Sequence, residues 1–341
     1  MTAPFKRSVL MAVLTSNVVT AIVIAVILIV CMFFAVGVDP IAAANVLWRS
    51  TFGSLRTFGE GLVRATPLLM ISVTLLPSLR AGLYNIGAPG QLGAGALSAT
   101  VVALNMPNAP SWLIVPICAV VALVAGGAAA AIPGYLKARW KTNEIVSTLA
   151  MNFIVVAILG YLLNGPLQSD FANLPQSPSL PANSGLPLLF TGARAHIGLL
   201  VALAFVPALL ALDRSLVGYR LRLFNFNPVL ATRAGVNPKA YVLWLMTLGG
   251  AGAGLAGWMQ VAAIDHRLYP GVANPIGYAG LFVALLGALH PLGCIAAAYL
   301  LGALLYGGAA MQVGAGVSPE IIQVFLGLIL FVYAARPNTN R

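Results

Sequence analysis

Long apolar runs without a single charge limit the folds that this chain can adopt. The clearest run, Trp112–Leu136, contains no Asp, Glu, Lys or Arg. A helix needs about 20 such residues to cross the hydrocarbon core of a bilayer, where its backbone must be hydrogen-bonded internally. Only 7% of the chain is charged, against about 25% in soluble domains. The runs are continuous rather than alternating as in a barrel, so the sequence predicts an all-α, polytopic membrane protein.

About ten transmembrane helices can be drawn along the chain, which we interpret as one transmembrane domain over residues 1–341. Several segments are shorter than a bilayer is thick, so we expect those helices to be tilted or broken. The connection Gly37–Glu60 is interpreted as polar. The ten segments are Val18–Val36, Gly61–Leu79, Gly93–Leu104, Trp112–Leu136, Ile145–Leu163, Ile197–Leu212, Ala240–Ala263, Tyr278–Leu289, Gly293–Met311 and Glu320–Ala335.

The distribution of cations predicts the orientation of these segments. If the N-terminus is cytoplasmic, five of the 18 Lys and Arg residues fall outside, which leaves 13 inside. This excess follows the positive-inside rule and predicts that both termini are cytoplasmic. It explains the net charge of +11 without nucleic acid as a partner. The segment 213–239 then faces the cytoplasm, and the Pro-, Asn- and Ser-rich stretch 165–190 becomes an external loop.

The cytoplasmic segment Asp213–Lys239 contains a short predicted helix with clear start and stop signals. Asn227 can cap its first N–H groups, Pro228 suits the first helical position, and Gly235 suits the left-handed residue that ends it. A helix of about two turns is unstable alone in water, so we expect it to pack against a partner protein. The contacts that it offers are apolar at Val229 and Leu230 and cationic at Arg233.

Two glycine-interrupted segments, Asn85–Gln91 and Asn274–Gly280, stand at the starts of membrane segments in the two halves of the chain. Both contain the pattern Ile-Gly-x-x-Gly. Paired broken segments are typical of transporters with an internal repeat around a central pathway. The sequence therefore favours a possible internal repeat, although a glycine-rich chain can produce two short matches by chance.

Polar residues that enter the predicted helices, most of them uncharged, are the candidates for a solute pathway. Glu144, Thr148 and Asn152 follow one another at intervals of four and so share one helix face. Asn85 and Gln91 flank the first broken segment. These residues could line a hydrated path for a neutral solute. Alternatively, Asn152 bonds a neighbouring helix, while Asn85 and Gln91 satisfy backbone groups that the break leaves free.

The residues needed for common catalytic chemistries are not arranged for them in this sequence. No glycine-rich phosphate loop precedes any of the four lysines, which follow Phe5, Leu136, Trp140 and Pro238. The seven carboxylates lie in predicted loops or at helix ends, and the three cysteines have neither metal nor disulfide spacing. We therefore expect a protein that is not an enzyme and binds no metal or cofactor of its own.

Four stretches of the chain resemble the permease subunits of ABC importers for nucleosides, simple sugars and branched-chain amino acids. They are Leu83–Ala99, Asn143–Ile154, Gly218–Gly235 and Gly277–Gly293. The first two are most similar to the nucleoside branch. In the third, the run Phe224–Pro228 replaces the small-residue sequence that is usual in the family.

This resemblance implies a permease of an ATP-driven importer that moves a small polar solute, such as a nucleoside or a related purine or pyrimidine compound. It also implies a bacterial plasma (inner) membrane location. The partners would be two cytoplasmic ATPase subunits, which bind the ATP, a second and non-identical permease, and an extracytoplasmic solute-binding protein. The residues alone leave open a stand-alone secondary transporter or channel for a neutral solute, and a structural membrane subunit without a pathway.

The cation distribution leads to a direct topology test. Reporter fusions after Asn227 and at the C-terminus should both report a cytoplasmic location, because 13 of 18 cations lie on that side in the predicted arrangement. A fusion within residues 165–190 serves as the external control. An external signal from either of the first two fusions would show that the orientation or the span count is wrong.

Overall fold

Helices dominate the computed structural model, which describes residues 37–169, 174–189 and 194–315 and the single positions 27, 30, 31, 33, 34, 324 and 327. The predicted span Glu320–Ala335 and most of Val18–Val36 lie outside the described residues. The helices are α1 (Pro40–Phe52), α2 (Leu55–Arg80), α3 (Ala88–Asn105), α4 (Ser111–Trp140), α5 (Glu144–Leu163), α6 (Gly198–Arg214), α7 (Leu216–Phe226), α8 (Pro228–Arg233), α9 (Pro238–Gln260), α10 (Ile276–Leu286) and α11 (Pro291–Ala315).

Five of the described helices are long and apolar enough to cross a membrane. They are α2, α4, α5, α11 and α9 together with the π-helical turn Val261–Asp265 that continues it. The pair α6 and α7 would make a sixth, but a bend of 72° separates the two helices. The all-α prediction is confirmed for the described residues. The count of ten spans and the internal repeat stay predictions.

The chain divides into two compact units. One comprises residues 1–58 and 303–341, and the other comprises residues 59–302. In the first unit, Gly307 of α11 lies against Leu47 and Thr51 of α1. The second unit contains the segments that carry the predicted site residues.

The centre of the larger unit is a contact between α9 and the helices α3 and α4. A side chain at Gly254 would overlap the carbonyl oxygen of Ala122, and one at Gly95 would overlap Gly254. A side chain at Gly250 would likewise overlap Ala130. Lipid removes the hydrophobic drive between membrane helices, so close van der Waals contact through small residues takes its place. Gly250 and Gly254 of α9 therefore allow the close approach that positions α3 and α4.

Several sequence-based boundaries need correction. The connection Gly37–Glu60 is largely helical, because Asp39 caps α1 by accepting a hydrogen bond from the N–H of Ile41 at 2.9 Å and Pro40 begins it. Helix α3 begins five residues before the predicted Gly93. The sequence interpretation also missed α7, whose first N–H groups Ser215 caps.

The glycine contact can be tested with two identical substitutions. Gly254→Ala should lower the thermal stability of the purified protein, because its methyl group meets the backbone of Ala122. Gly160→Ala in α5 meets nothing within 4 Å, and it should leave stability unchanged or raise it by up to about 1 kcal/mol through helix propensity. Melting curves in the same detergent measure both. Equal effects of the two changes would contradict the proposed packing.

Candidate functional site

A buried break in the backbone between α2 and α3 forms the centre of the candidate site. Residues 83–87 adopt no helix, and Asn85 and Gly87 in this stretch are buried. Helix α3 then begins at Ala88 without a side-chain cap at Gly87. Irregular backbone inside a membrane protein requires hydrogen-bond partners supplied by the protein itself. The polar residues that the sequence predicts around this segment lie where such partners are needed.

Asn85 and Gln91 bond each other across the break. The Asn85 Nδ2 donates to Gln91 Oε1 at 3.0 Å, and the Gln91 Nε2 donates back to Asn85 Oδ1 at 2.9 Å. The same Oδ1 accepts from the N–H of Gly87 at 3.0 Å. Both side chains are fully buried. Their amides therefore hold the turn that leads into α3.

Asn152 ties α5 to the same break through two hydrogen bonds. Its Oδ1 accepts from the N–H of Gly90 at 2.8 Å, and its Nδ2 donates to the carbonyl of Ile86 at 3.0 Å. A Cβ at Gly90 would lie 2.7 Å from Asn152 Oδ1, so only glycine permits this approach. Asn152 thus satisfies a donor and an acceptor that the break leaves free.

Glu144 and Thr148 occupy the same face of α5 as Asn152, in agreement with their spacing. Thr148 is fully buried and donates to the carbonyl of Glu144 at 2.7 Å. Its Cβ would lie 3.1 Å from a Cβ at Gly87, which places it against the break. Glu144 is half-buried and forms an ion pair with Lys137 of α4 at 2.7 Å. Thr148 and Asn152 thus face the break and the start of α3, whereas Glu144, at the end of the same row, pairs with α4.

The second glycine-interrupted segment meets the first. A Cβ at Gly277 in α10 would lie 2.5 Å from both the Cα and the N of Pro89 in α3. The backbones of the two helices are therefore in contact near their first turns. The sequence pattern identified two segments 190 positions apart, and the structure brings them together.

The predicted helix of the cytoplasmic segment is present as α8. Asn227 Oδ1 accepts from the N–H groups of Val229 and Leu230 at 2.9 and 3.1 Å. Gly235 has a φ of +79° and follows the C-cap residue Ala234, as its predicted left-handed role requires. Val229 is 64% exposed and Leu230 43% exposed, and Arg233 is exposed beside them. The helix thus presents an apolar edge with a cation at its end.

An ion pair that sequence reasoning missed fixes the start of this segment. Arg80 Nη1 donates to both carboxylate oxygens of Asp213 at 2.8 and 2.7 Å, and its Nε donates to the carbonyl of Leu289 at 2.9 Å. Arg222 of α7 donates to the backbone carbonyl of Asp213 at 2.6 Å. The ends of α2 and α6 and the turn before α11 therefore meet at one guanidinium.

A second missed ion pair lies beyond the predicted external loop 165–190, at Arg194 before α6. Arg194 donates to both carboxylate oxygens of Glu60 at 2.7 and 2.6 Å, and Glu60 is buried. No pattern of spacing pairs Glu60 with Arg194, because opposite charges far apart in sequence have many possible partners.

Two titratable groups near this end of the chain's helices have shifted pKa values. Burial lowers the pKa of His196 to about 4, so its imidazole is neutral at physiological pH. Burial, and to a lesser extent the Asp265 carboxylate, raises the pKa of Tyr269 to about 12.

Metal-binding potential is absent from the part of the chain that the structure describes. No group of three or more His, Cys, Asp or Glu side chains there could hold an ion. Cys118 and Cys294 are free and buried, and Cys31 is free and exposed. Around the break the arrangement offers amide, hydroxyl and backbone groups, and the amides of Asn85, Gln91 and Asn152 are engaged in hydrogen bonds within the protein.

Comparisons with known proteins indicate a membrane transport protein. The sequence profile described as "Branched-chain amino acid transport system / permease component" matches residues 57–334. The glucose ABC transporter permease protein TsgB13 of Haloferax volcanii is 34% identical over 310 residues, which cover 87% of this chain and 80% of that protein. No solved structure matches the chain.

Two further relatives are named for nucleosides. The guanosine ABC transporter permease protein NupP of Bacillus subtilis is 31% identical over 304 residues, 88% of this chain and 87% of that protein. The nucleoside ABC transporter permease protein NupB of Lactococcus lactis is 29% identical over 315 residues, 89% of this chain and 86% of that protein.

The hydrogen bonds of Asn152 lead to a prediction about stability. Asn152→Leu should remove the partners of Gly90 N–H and Ile86 C=O, at a cost of about 1–3 kcal/mol for each buried group. Asn164→Leu, at the exposed C-cap of the same helix, is the matched control and should cost less. Melting curves and solute uptake are measured together. Unchanged stability with lost uptake would show that Asn152 contacts the solute and does not support the break.

Proposed function

The chain belongs to the family of permease components of branched-chain amino acid transport systems, and from its similarity to two relatives named for nucleosides we propose that it moves a nucleoside or a related purine or pyrimidine compound into the cytoplasm. It is the membrane-spanning permease subunit of an ABC transporter, it crosses the membrane several times, and it is not itself an enzyme. Permeases of this family operate with ATPase subunits and a solute-binding protein.

Two of the three relatives described above carry the nucleoside proposal. NupP is named for guanosine and NupB for nucleosides, and each aligns with more than four fifths of this chain. TsgB13 is named for glucose. Nucleosides and hexoses are both uncharged and rich in hydroxyl groups, so a hexose is the second candidate solute. A neutral solute is consistent with a site built from amides and a hydroxyl.

The solute path is proposed to run beside the break between α2 and α3. Asn85, Gln91 and Asn152 hold the irregular backbone at this point, and Thr148 packs on it. Glu144 lies at the end of the same row, where Lys137 neutralises its charge. The five residues would shape the path indirectly, because they fix the backbone beside it. A small shift of α5 would change which polar groups the solute meets.

We further propose that α8 docks into a cytoplasmic ATPase. Its apolar edge of Val229 and Leu230 is exposed, although the helix has only six residues. The other side of α8 is anchored, because Ala231 and Val236 belong to a buried cluster with Leu83, Val242 and Met246. Movement of α8 would therefore press on the first turns of α9 and on Leu83, two residues before Asn85. This chain of packed side chains connects the proposed docking edge with the break.

The remaining features of the assembly stay proposals. They are ten spans with a repeat between the halves, cytoplasmic termini in a bacterial inner membrane, two ATPase subunits and a second, non-identical permease. The juxtaposition of Gly277 and Pro89 supports the correspondence of the two glycine-interrupted segments. The 13-to-5 division of cations supports the orientation.

Uptake in vesicles tests the proposed function and the coupling together. Vesicles that contain the permease, its ATPase and its binding protein should accumulate guanosine in preference to glucose, and only with ATP. Leu230→Asp should abolish ATP-driven uptake by placing a charge in an apolar contact, whereas Leu230→Ala should retain most of it. Accumulation driven by an ion gradient without ATP would instead indicate a secondary transporter.

The end of α8 offers a second pair of variants for the same assay. Gly235→Val should reduce coupled uptake, because a β-branched residue is strained at a φ of +79°. Gly235→Asn should be tolerated, because asparagine adopts left-handed conformations more readily. Full coupled uptake by both Gly235→Val and Leu230→Asp, in protein shown to be inserted and assembled, would overturn the docking proposal.

A further inference from the structure

Helix α7 has two apolar faces, one buried and the other largely exposed. Gly218, Leu221 and Phe224 form the buried face. On the opposite side, Leu216 is 77% exposed, Tyr219 57% exposed and Phe226 85% exposed. Intervals of three and seven residues place these three on one stripe of the helix, together with Leu223, which is partly buried against the neighbouring apolar cluster. A cytoplasmic helix surrounded by water would be expected to carry polar residues on this side.

Two arginines border the exposed apolar stripe, one along each edge. At about 100° per residue, Arg220 lies about 40° beyond Leu216, and Arg222 lies about 40° before Phe226. Both are exposed, and α7 contains no acidic residue. An apolar stripe with cations on both edges is the pattern of a helix that lies in a membrane interface, where long cationic side chains reach the lipid phosphates.

The direction of α7 and its neighbours agree with this pattern. Helix α7 is bent by 72° from α6, so it runs closer to the bilayer plane than to its normal when α6 crosses the membrane. The ring centroid of Phe224 lies 6.0 Å from that of Tyr241, which lies 6.4 Å from that of Trp244. Trp244 is 41% exposed on the second turn of α9. Tyr and Trp are enriched at the level of the lipid headgroups.

We propose that α7 is an interfacial helix that binds anionic phospholipid. Leu216, Tyr219 and Phe226 insert at the boundary between headgroups and acyl chains, and Arg220 contacts the phosphates. Arg222, whose Nη1 donates to the backbone carbonyl of Asp213, borders the other edge of the stripe. One residue, Asn227, separates α7 from α8. The lipid surface therefore sets the height at which α8 is presented to the cytoplasm. This inference needs only a membrane-embedded chain, and it is independent of the solute and of ATP.

Site-directed spin labelling of the full chain in vesicles tests the proposal. Cys31, Cys118 and Cys294 are replaced by alanine, and a nitroxide is attached at Tyr219→Cys or, as the control, at Val229→Cys on α8. Vesicles contain either phosphatidylcholine alone or phosphatidylcholine with phosphatidylglycerol. Collision with oxygen, which concentrates in lipid, is compared with collision with a water-soluble nickel chelate. The label at position 219 should favour oxygen, and the label at position 229 should favour nickel.

The charge contribution is tested with Arg220→Gln in the same background. One arginine near an anionic surface corresponds to roughly a five-fold change in membrane affinity. The variant should therefore increase the nickel collision of the label at position 219 in vesicles with phosphatidylglycerol, and much less in vesicles without it. An effect that is equal in the two lipids would overturn the assignment of Arg220 to anionic lipid.

Two other results would overturn the interfacial position of α7. Equal nickel collision at positions 219 and 229 would show that the stripe faces water. Nickel collision at position 219 that disappears only when the ATPase is added would show that the stripe is a protein contact. None of these measurements involves uptake, so their failure would leave the proposed transport function untouched, and failed uptake would leave the lipid proposal standing.

Discussion

The close approach of α9 to α3 and α4 is the contact on which the larger unit depends. Gly250 and Gly254 face α4, and Gly257 lies against the carbonyl of Leu92 in α3. Because lipid tails are as apolar as the side chains, these helices associate through contact area rather than through exclusion of water. Backbone contact leaves no room for adjustment by side chains. The position of α3 is therefore fixed around Leu92, Gly95 and Ala96, directly after the first turn where the candidate site lies.

Fixing α3 in this way creates a requirement for polar groups inside the unit. Helix α3 begins in buried surroundings, so its first N–H groups and the preceding irregular residues need partners that water cannot supply. Asn85 provides one of them locally, for the N–H of Gly87, and Gln91 holds the Asn85 side chain in place. Asn152 provides two more from α5, for the N–H of Gly90 and the carbonyl of Ile86. The amides that resemble a hydrated path in sequence therefore have a structural task first. A solute that passes here meets backbone whose geometry these amides determine.

Local signals made part of this structure predictable. The capping of α8 by Asn227 and its end at Gly235 depend on neighbouring residues alone, so the sequence revealed them. The same signal, Asp39 before Pro40, marked α1 but was interpreted as part of a polar connection. The partners of Asn152 lie 62 and 66 positions away, and Asp213 lies 133 positions from Arg80. Spacing carries no information about such pairs. Helix α7 was not predicted from the sequence, because Arg220 and Arg222 interrupt its apolar pattern.

The two ends of the connection Asp213–Lys239 are held by different kinds of interaction. At its start, Asp213 binds the partly buried Arg80, whose guanidinium also bonds the carbonyl of Leu289. At its end, Val236 is buried with Val242 and Met246 of α9. Ala231 of α8 and Leu83 belong to the same buried cluster. Because close-packed apolar side chains transmit displacement, a push on α8 would reach both α9 and Leu83, two residues before Asn85.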